Sequence, residues 1–423
     1  MKGSTISSRV LPAVHAAVCV VPLLAQGSGA LGEPFVVLSG GTVCTEPNAA
    51  RIEGGAVVIR GSLIESVGAG AEAPPGARVV DCTGRYVFAG FWNCHVHFFT
   101  PEWLGADQKP AQELAGSLRA MLLRYGFTTV IDAGSFLENT KALRARIEAG
   151  EIRGPRILTC GEPLYPENGT PLMLREQMGI RLPEIASPEQ ADPAVARNLE
   201  GGADAIKIML VAYTMPPPMP HMPLAVVRAI VDSGHARGKL VLAHPHTSSG
   251  LRNAIESGVD ILMHPVSNPD DQVAELLEQA RARGMALVPT LMLYRFEARR
   301  EGQTPERMAR WIPRCAEQVR DFARAGGQVL FGTDVGYVSD FDPTEEYLML
   351  GEAELSASQV LAALTTAPAR RFGFAHRLGR LASGMEADIV VLGSDPFADY
   401  AAFADVRLSI RGGKVVYEAE PQR

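Results

Sequence analysis

Between residues 35 and 80 apolar positions come in short runs. Phe35-Val36-Val37-Leu38, Ala56-Val57-Val58-Ile59, Leu63-Ile64 and Arg78-Val79-Val80 are separated by Gly, Pro and Asn. Brief runs rich in β-branched residues and bounded by turn formers predict strands. The same texture returns at the other end, in Ala387-Asp388-Ile389-Val390-Val391-Leu392, Val406-Arg407-Leu408-Ser409-Ile410 and, past Gly412-Gly413, Lys414-Val415-Val416-Tyr417. Neither piece can bury a core alone. The two are expected to pair into one small β-sandwich, residues 31–88 and 375–423.

The middle alternates. Strands are expected at 87–95, 128–133, 156–160, 205–210, 240–244, 260–264, 286–290 and 329–334. Helical patterns lie between them, for example at 111–125, 140–149, 223–238, 271–284 and 305–325. Repeated β-then-α units with continuously apolar strands predict an α/β fold, a parallel (β/α)8 TIM barrel over 89–374. A doubly wound open sheet is disfavoured, because no Gly-rich dinucleotide fingerprint follows the first strand.

Residues 1–30 read as a signal peptide. Lys2 and Arg9 precede an apolar stretch from Val10 to Ala25, and small residues follow at 28–30. This predicts a secreted or periplasmic protein, the alternative being a cytoplasmic one with an over-long start. Pro12, His15 and Pro22 suit a spanning helix poorly, and no later stretch is apolar enough to cross a bilayer, so no membrane partner is expected.

Composition narrows the function. Hydrophobic residues make up 47% and charged residues 21%, which excludes a disordered chain. The net charge of −7 gives no reason to expect a nucleic-acid partner. The six cysteines have no paired spacing, which excludes a disulfide scaffold and a thiolate zinc module.

The chemistry gathers at the expected strand ends, where barrels of this type carry their sites. The first strand ends in Asn93-Cys94-His95-Val96-His97, the fifth in His244-Pro245-His246, the sixth in His264 and the eighth in Asp334. Residues two apart on a strand face the same way, so His95 and His97 can converge. One His-x-His is common by chance. Four strands of one barrel ending in imidazole or carboxylate point to a divalent transition metal, zinc first. Lys207 interrupts Ile206-Lys207-Ile208, so alternation turns it into the barrel while its neighbours face the helices. A bare buried ammonium is costly. Either Lys207 pairs with Asp204 or Asp334, or it reacts with carbon dioxide and becomes an anionic ligand.

These residues together resemble the metal constellation of the amidohydrolase superfamily, and most closely its imidazolonepropionase-like and Xaa-Pro dipeptidase-like members. Ala89-Gly90-Phe91 before the His-x-His, the segment from Gly258 to His264, and Ser383-Gly384-Met385-Glu386-Ala387-Asp388 are similar to the family's motifs. Ala89, Asn93, Met263 and Pro265 depart from the commonest pattern. The resemblance implies two divalent metal ions. His95, His97 and Asp334 would bind one, His244 and His264 the other, and carboxylated Lys207 would bridge both. A hydroxide shared by the ions would attack a carbonyl, and Asp334 would move its proton to the leaving nitrogen. His246 is expected to polarise the substrate or support the metal shell.

Substrate contacts are sought in the loops. The segment 161–190, with Tyr165, Asn168 and Arg175, reads as a lid. Tyr213 and His221 flank a Met- and Pro-rich stretch suited to an apolar group. Tyr294 is placed near the mouth, and Arg295 could hold a carboxylate by its planar fork. The expected partner is a small molecule, and a homo-oligomer is compatible with this. The expected reaction is hydrolysis of a C–N bond in a small amide, N-acyl amino acid or dipeptide. An ester or lactone is the alternative substrate. A non-catalytic assembly protein is disfavoured, because all six ligand positions are filled.

Overall fold

The structure, a computed structural model, describes residues 35–70, 73–171, 173–177, 179–212 and 219–420. The leader expected over 1–30 and the expected substrate contact Tyr213 lie outside the described residues.

Five strands open the described chain: β1 (Phe35–Val43), β2 (Ile52–Arg60), β3 (Leu63–Ala69), β4 (Arg78–Asp81) and β5 (Tyr86–Ala89). The alternating region follows as β6 (Phe91–Val96), α1 (Ala111–Met121), β7 (Phe127–Asp132), α2 (Leu137–Glu148) and β8 (Arg156–Thr159). A two-strand insertion, β9 (Tyr165–Pro166) and β10 (Glu184–Ile185), precedes α3 (Ala191–Glu200). Next come β11 (Ile206–Met209), α4 (Leu224–Ala236), β12 (Val241–His244), α5 (Ser248–Ser257), β13 (Ile261–Met263), α6 (Val273–Ala282) and β14 (Ala286–Val288). Then follow α7 (Leu291–Arg300), α8 (Pro305–Arg324), β15 (Gln328–Val329), α9 (Thr344–Glu352), α10 (Ala357–Leu364) and α11 (Thr366–Arg371). The chain closes with β16 (Ile389–Leu392), β17 (Val406–Arg411) and β18 (Lys414–Glu418).

The protein is α/β with parallel sheets. Strands β6, β7 and β8 form one parallel set, and β11 to β15 form another. Between the sets, Leu164 bridges in parallel to Ile208, and Val96 bridges to Val335 beyond β15. At the second place Cys94 N donates to Phe331 O at 2.7 Å, Asp334 N to His95 O at 2.9 Å and His97 N to Val335 O at 2.9 Å.

Side chains alternate across these strands as a pleat requires. Trp92, Cys94, Ile131, Leu242, Ile261 and Val288 share one buried cluster. Phe91, Val130, Ala243, Leu262 and Leu287 belong to the main core. Ile206 and Ile208 sit in the main core and Ala205 in the other cluster, so Lys207 shares the side of Ala205.

The single strand expected at 87–95 is two strands, which break at Gly90. A Cβ there would meet Thr128 Oγ1 at 2.2 Å, and Gly90 N donates to Asp388 O at 2.7 Å. This close approach is where the chain leaves the terminal sheet and enters the parallel set. The terminal strands themselves form one eight-stranded sheet in the order β18-β17-β16-β5-β1-β2-β3, with β4 beside β1. Ile389 and Val391 pack with Val57, Ile59 and Ile410, while the alternate residues Val390 and Leu392 join Phe88 and Phe91 in the main core. Arg156 of β8 ties the two parts with bonds to Glu386 (2.6 Å) and Asp388 (2.9 Å). Among the described residues no helix is long and apolar enough to cross a membrane.

Candidate active site

Past the ends of β12, β13, β14 and β15 the backbone turns left-handed at non-glycine residues: His246 (φ 58°), His264 (φ 75°), Thr290 (φ 48°) and Asp334 (φ 61°). Such residues are uncommon, cost about 1–3 kcal/mol each, and gather at functional sites. The consequence is clearest at His264. Alternation puts Ile261 and Met263 inward and Leu262 outward, so an extended His264 would face the helices. Its positive φ turns it back among the other imidazoles.

There the rings converge. The ring centroids of His95 and His97 lie 5.2 Å apart, those of His95 and His264 4.7 Å, and those of His264 and His244 4.6 Å. The Asp334 carboxylate sits among them. Its Oδ1 is 2.9 Å from His97 Nε2 and 3.3 Å from His95 Nε2, and its Oδ2 is 3.8 Å from His264 Nε2. His95, His264 and Asp334 offer ligand atoms within 4.8 Å of one another, all three residues buried. Lys207, also buried, acts electrostatically on His95, His244 and His264 and is itself influenced by Asp334.

Neighbouring groups fix this geometry. His97 Nδ1 lies 2.7 Å from the Gly134 carbonyl, which can only accept, so Nδ1 carries the proton. Asp132 holds that loop, accepting from Ser135 Oγ (2.6 Å), Thr159 Oγ1 (2.8 Å) and Thr140 Oγ1 (3.0 Å). Asn93 staples β6 to the segment after β15. Its Nδ2 donates to Thr333 Oγ1 at 2.7 Å, and its Oδ1 accepts from His95 N and Thr333 N, each at 3.2 Å.

Burial sets the charge states. It pushes His95 and His244 well below the usual imidazole range and His264 down to about 3, the last against the pull of Asp334. Burial also brings the Lys207 ammonium down to about 8, again opposed by Asp334. These three imidazoles are therefore neutral at pH 7 and present lone pairs. With Nδ1 of His97 protonated, a neutral His97 would point its Nε2 lone pair at Asp334 Oδ1, a buried oxygen without a hydrogen-bond donor. A cation held between them would relieve that contact. Neutral imidazoles around a buried carboxylate are the donor set of a divalent transition ion, so the residues fit a metal.

The other expected contacts are placed differently. His246 stacks on His244 (5.6 Å, 27°), with Nδ1 3.4 Å from Ser267 Oγ. His221 is exposed, couples to His246 and lies 3.5 Å from Ser249 Oγ. Tyr294 is buried against Trp311, and its hydroxyl donates to Pro265 O at 2.7 Å. Arg295 pairs with Glu345 at 3.3 Å and Glu352 at 2.9 Å. Both side chains expected at the mouth are thus spent on framework partners. A helix at Leu291–Arg300 starts directly after the strand end and carries both residues. Three contributors were not foreseen. Phe99 lies with its ring 5.2 Å from that of His97, Gly134 anchors His97, and Thr290 bonds to His264. Thr290 ends a strand as the histidines do, so its position carried a signal. Gly134 acts through its backbone and carried none.

Known proteins give this geometry its context. The model of the amidohydrolase family matches residues 86–416. The ochratoxinase of Aspergillus niger is 27% identical over 407 residues, covering 85% of this chain and 82% of that protein. The imidazolonepropionase of Methylobacterium nodulans is 24% identical over 379 residues, covering 82% and 89%. The crystal structure of a prolidase complexed with N-methylphosphonate-L-proline superposes with a TM-score of 0.75 at 27% identity, covering 91% of this chain and all of that one. The family generally binds divalent metal ions. By its matched length and its clustered histidines and aspartate, this chain belongs to the amidohydrolase family and is a hydrolase of carbon–nitrogen bonds.

Proposed function

We propose that the protein is a metal-dependent amidohydrolase that cleaves the amide bond of a small amide, an N-acyl amino acid or a dipeptide. The observation that carries this reading is the convergence of His95, His97 and His264 Nε2 on the Asp334 carboxylate. Ochratoxinase and prolidase relatives support the amide-type substrate. The parallel strands are read as closing into a (β/α)8 barrel over 89–374, flanked by a β domain from 31–88 and 375–423. The backbone bonds joining the two parallel sets at Leu164 and at Val96 support that reading.

Two metal ions, zinc first, are assigned to the centre. His95, His97 and Asp334 would hold one, His244 and His264 the other, with Lys207 between them as its carbamate. When bound, the ions supply a water of lowered pKa and polarise the substrate carbonyl. The chain's own groups do the rest. Asp334 accepts the proton of the attacking water and returns it to the leaving nitrogen. Gly134 keeps the His97 lone pair turned to the centre. His246 and His221, on the loops beyond β12 and β11, orient the substrate from the mouth. Lys207 is suited to carbamate formation because burial makes its neutral amine accessible.

The test is a panel of N-acyl amino acids, Xaa-Pro dipeptides, cyclic amides and lactones, offered to metal-loaded and to chelator-treated protein. Amide cleavage that disappears on chelation and returns with zinc is expected. Amide cleavage that survives chelation contradicts the metal-dependent reading. Cleavage of lactones alone transfers the same site to the ester reading.

A further inference from the structure

Helix α7 begins with an anomaly. Thr290 stands at its N-cap, where a threonine hydroxyl normally accepts from an amide of the first turn. Here the hydroxyl makes no capping bond. The cap comes from elsewhere: Glu346 of α9, fully buried, accepts from Met292 N at 2.7 Å and from Leu291 N. Thr290 is also a β-branched residue at φ 48°, a backbone conformation that such side chains avoid. It is wholly buried. So this position carries the strain of a threonine without using it to cap the helix.

What the hydroxyl does instead is specific. Thr290 Oγ1 donates to the Pro289 carbonyl at 2.7 Å. With its one hydrogen on that carbonyl, the oxygen accepts from His264 Nδ1, which it also contacts. Nδ1 must then carry the ring proton, and the Nε2 lone pair is left facing Asp334 Oδ2. A ring nitrogen fixed by its partner's hydrogen bond is how metal-binding histidines are oriented in general. We propose that Thr290 is a positioning residue of the metal centre. It locks His264 in the Nδ1–H tautomer, and Glu346 takes over the helix cap so that the hydroxyl is free for that task. This rests on His264 being a metal ligand.

Three measurements on the full chain test it. In metal-free wild-type protein labelled with 15N-histidine, long-range 1H–15N spectra should show His264 as the Nδ1–H tautomer. An Nε2–H tautomer overturns the proposal. Thr290→Val keeps the branched shape at the same backbone and removes only the hydroxyl. Zinc affinity, measured by competition with a chelating dye, should fall about 10–100-fold, the usual effect of losing such a partner. Thr290→Ser, which keeps the hydroxyl, should bind zinc as the wild type does. Unchanged affinity in Thr290→Val overturns the proposal, as does a Thr290→Ser variant as weak as Thr290→Val. If Thr290→Val does not fold, the tautomer and Thr290→Ser still decide. Wild-type protein that binds no zinc contradicts the metal-dependent reading instead, and the tautomer in metal-free protein still judges Thr290.

Discussion

His97 Nε2 lies 2.9 Å from Asp334 Oδ1, although one residue follows β6 and the other follows β15. The backbones on either side are tied, His97 N to Val335 O and Asp334 N to His95 O, each at 2.9 Å. The first and last parallel strands therefore present an imidazole and a carboxylate to each other at a seam stapled by Asn93. That pairing gives Asp334 its proposed double part, as metal ligand and as proton carrier.

Asp334→Asn nearly preserves shape but cannot accept the proton. The variant should fold normally and lose at least about a hundredfold in kcat. Steady-state kinetics on an amide substrate read the effect. If kcat holds and only KM rises, Asp334 serves substrate binding and His246 becomes the first candidate for the proton.

Lys207→Ala should lower both metal content and rate, because it removes the proposed bridging anion. Acetate or propionate, supplied in the assay, should restore part of each by occupying the place of the carbamate. Unchanged metal content and rate would make Lys207 a structural lysine.

Asn93→Ala would leave the buried amides of His95 and Thr333 without their acceptor. At about 1–3 kcal/mol per abandoned buried group, urea unfolding should show a loss of about 2–6 kcal/mol. Asn93→Asp, which keeps the acceptor oxygens, should stay close to wild type. Equal stability of Asn93→Ala and wild type would remove the staple.

Glu346 gives a pH prediction. Burial raises its carboxyl to about 8, so between the ordinary range near 4.5 and about 8 the folded chain holds a proton that the unfolded chain has released. Folding stability from this group is therefore fully present at low pH and is lost as pH rises through that window. Glu346→Gln keeps an acceptor for Met292 N and does not ionise. Its melting temperature, compared with wild type, should gain steadily from pH 5 to pH 8.5. A difference that stays flat across the window would show that Glu346 is ionised throughout.

Much of this was legible in the chain. The strand-end residues His95, His97, His264 and Asp334 could be marked because a parallel strand delivers its last side chains to one end of the fold. Lys207 could be marked because it breaks an apolar strand. The apolar run Ile389-Val390-Val391-Leu392 could be marked as a strand, while its packing on both faces appears only in the structure. Other features were hidden. The break at Gly90 depends on the nearness of Thr128, which no local pattern carries. The partners of Tyr294 and Arg295, namely Pro265, Glu345 and Glu352, were hidden because a helix begins directly after the strand end. The inward turn of His264 needs a left-handed backbone that its sequence neighbours do not advertise.

The most direct measurement is the metal content of the folded protein. Wild-type chain is purified without chelator, dialysed against metal-free buffer and assayed by elemental analysis beside Asp334→Asn and Lys207→Ala. Close to two divalent ions per wild-type chain, with fewer in Lys207→Ala, is the predicted result. Folded wild-type protein that carries no divalent ion, and takes up none when zinc is supplied, would contradict the metal-dependent hydrolase.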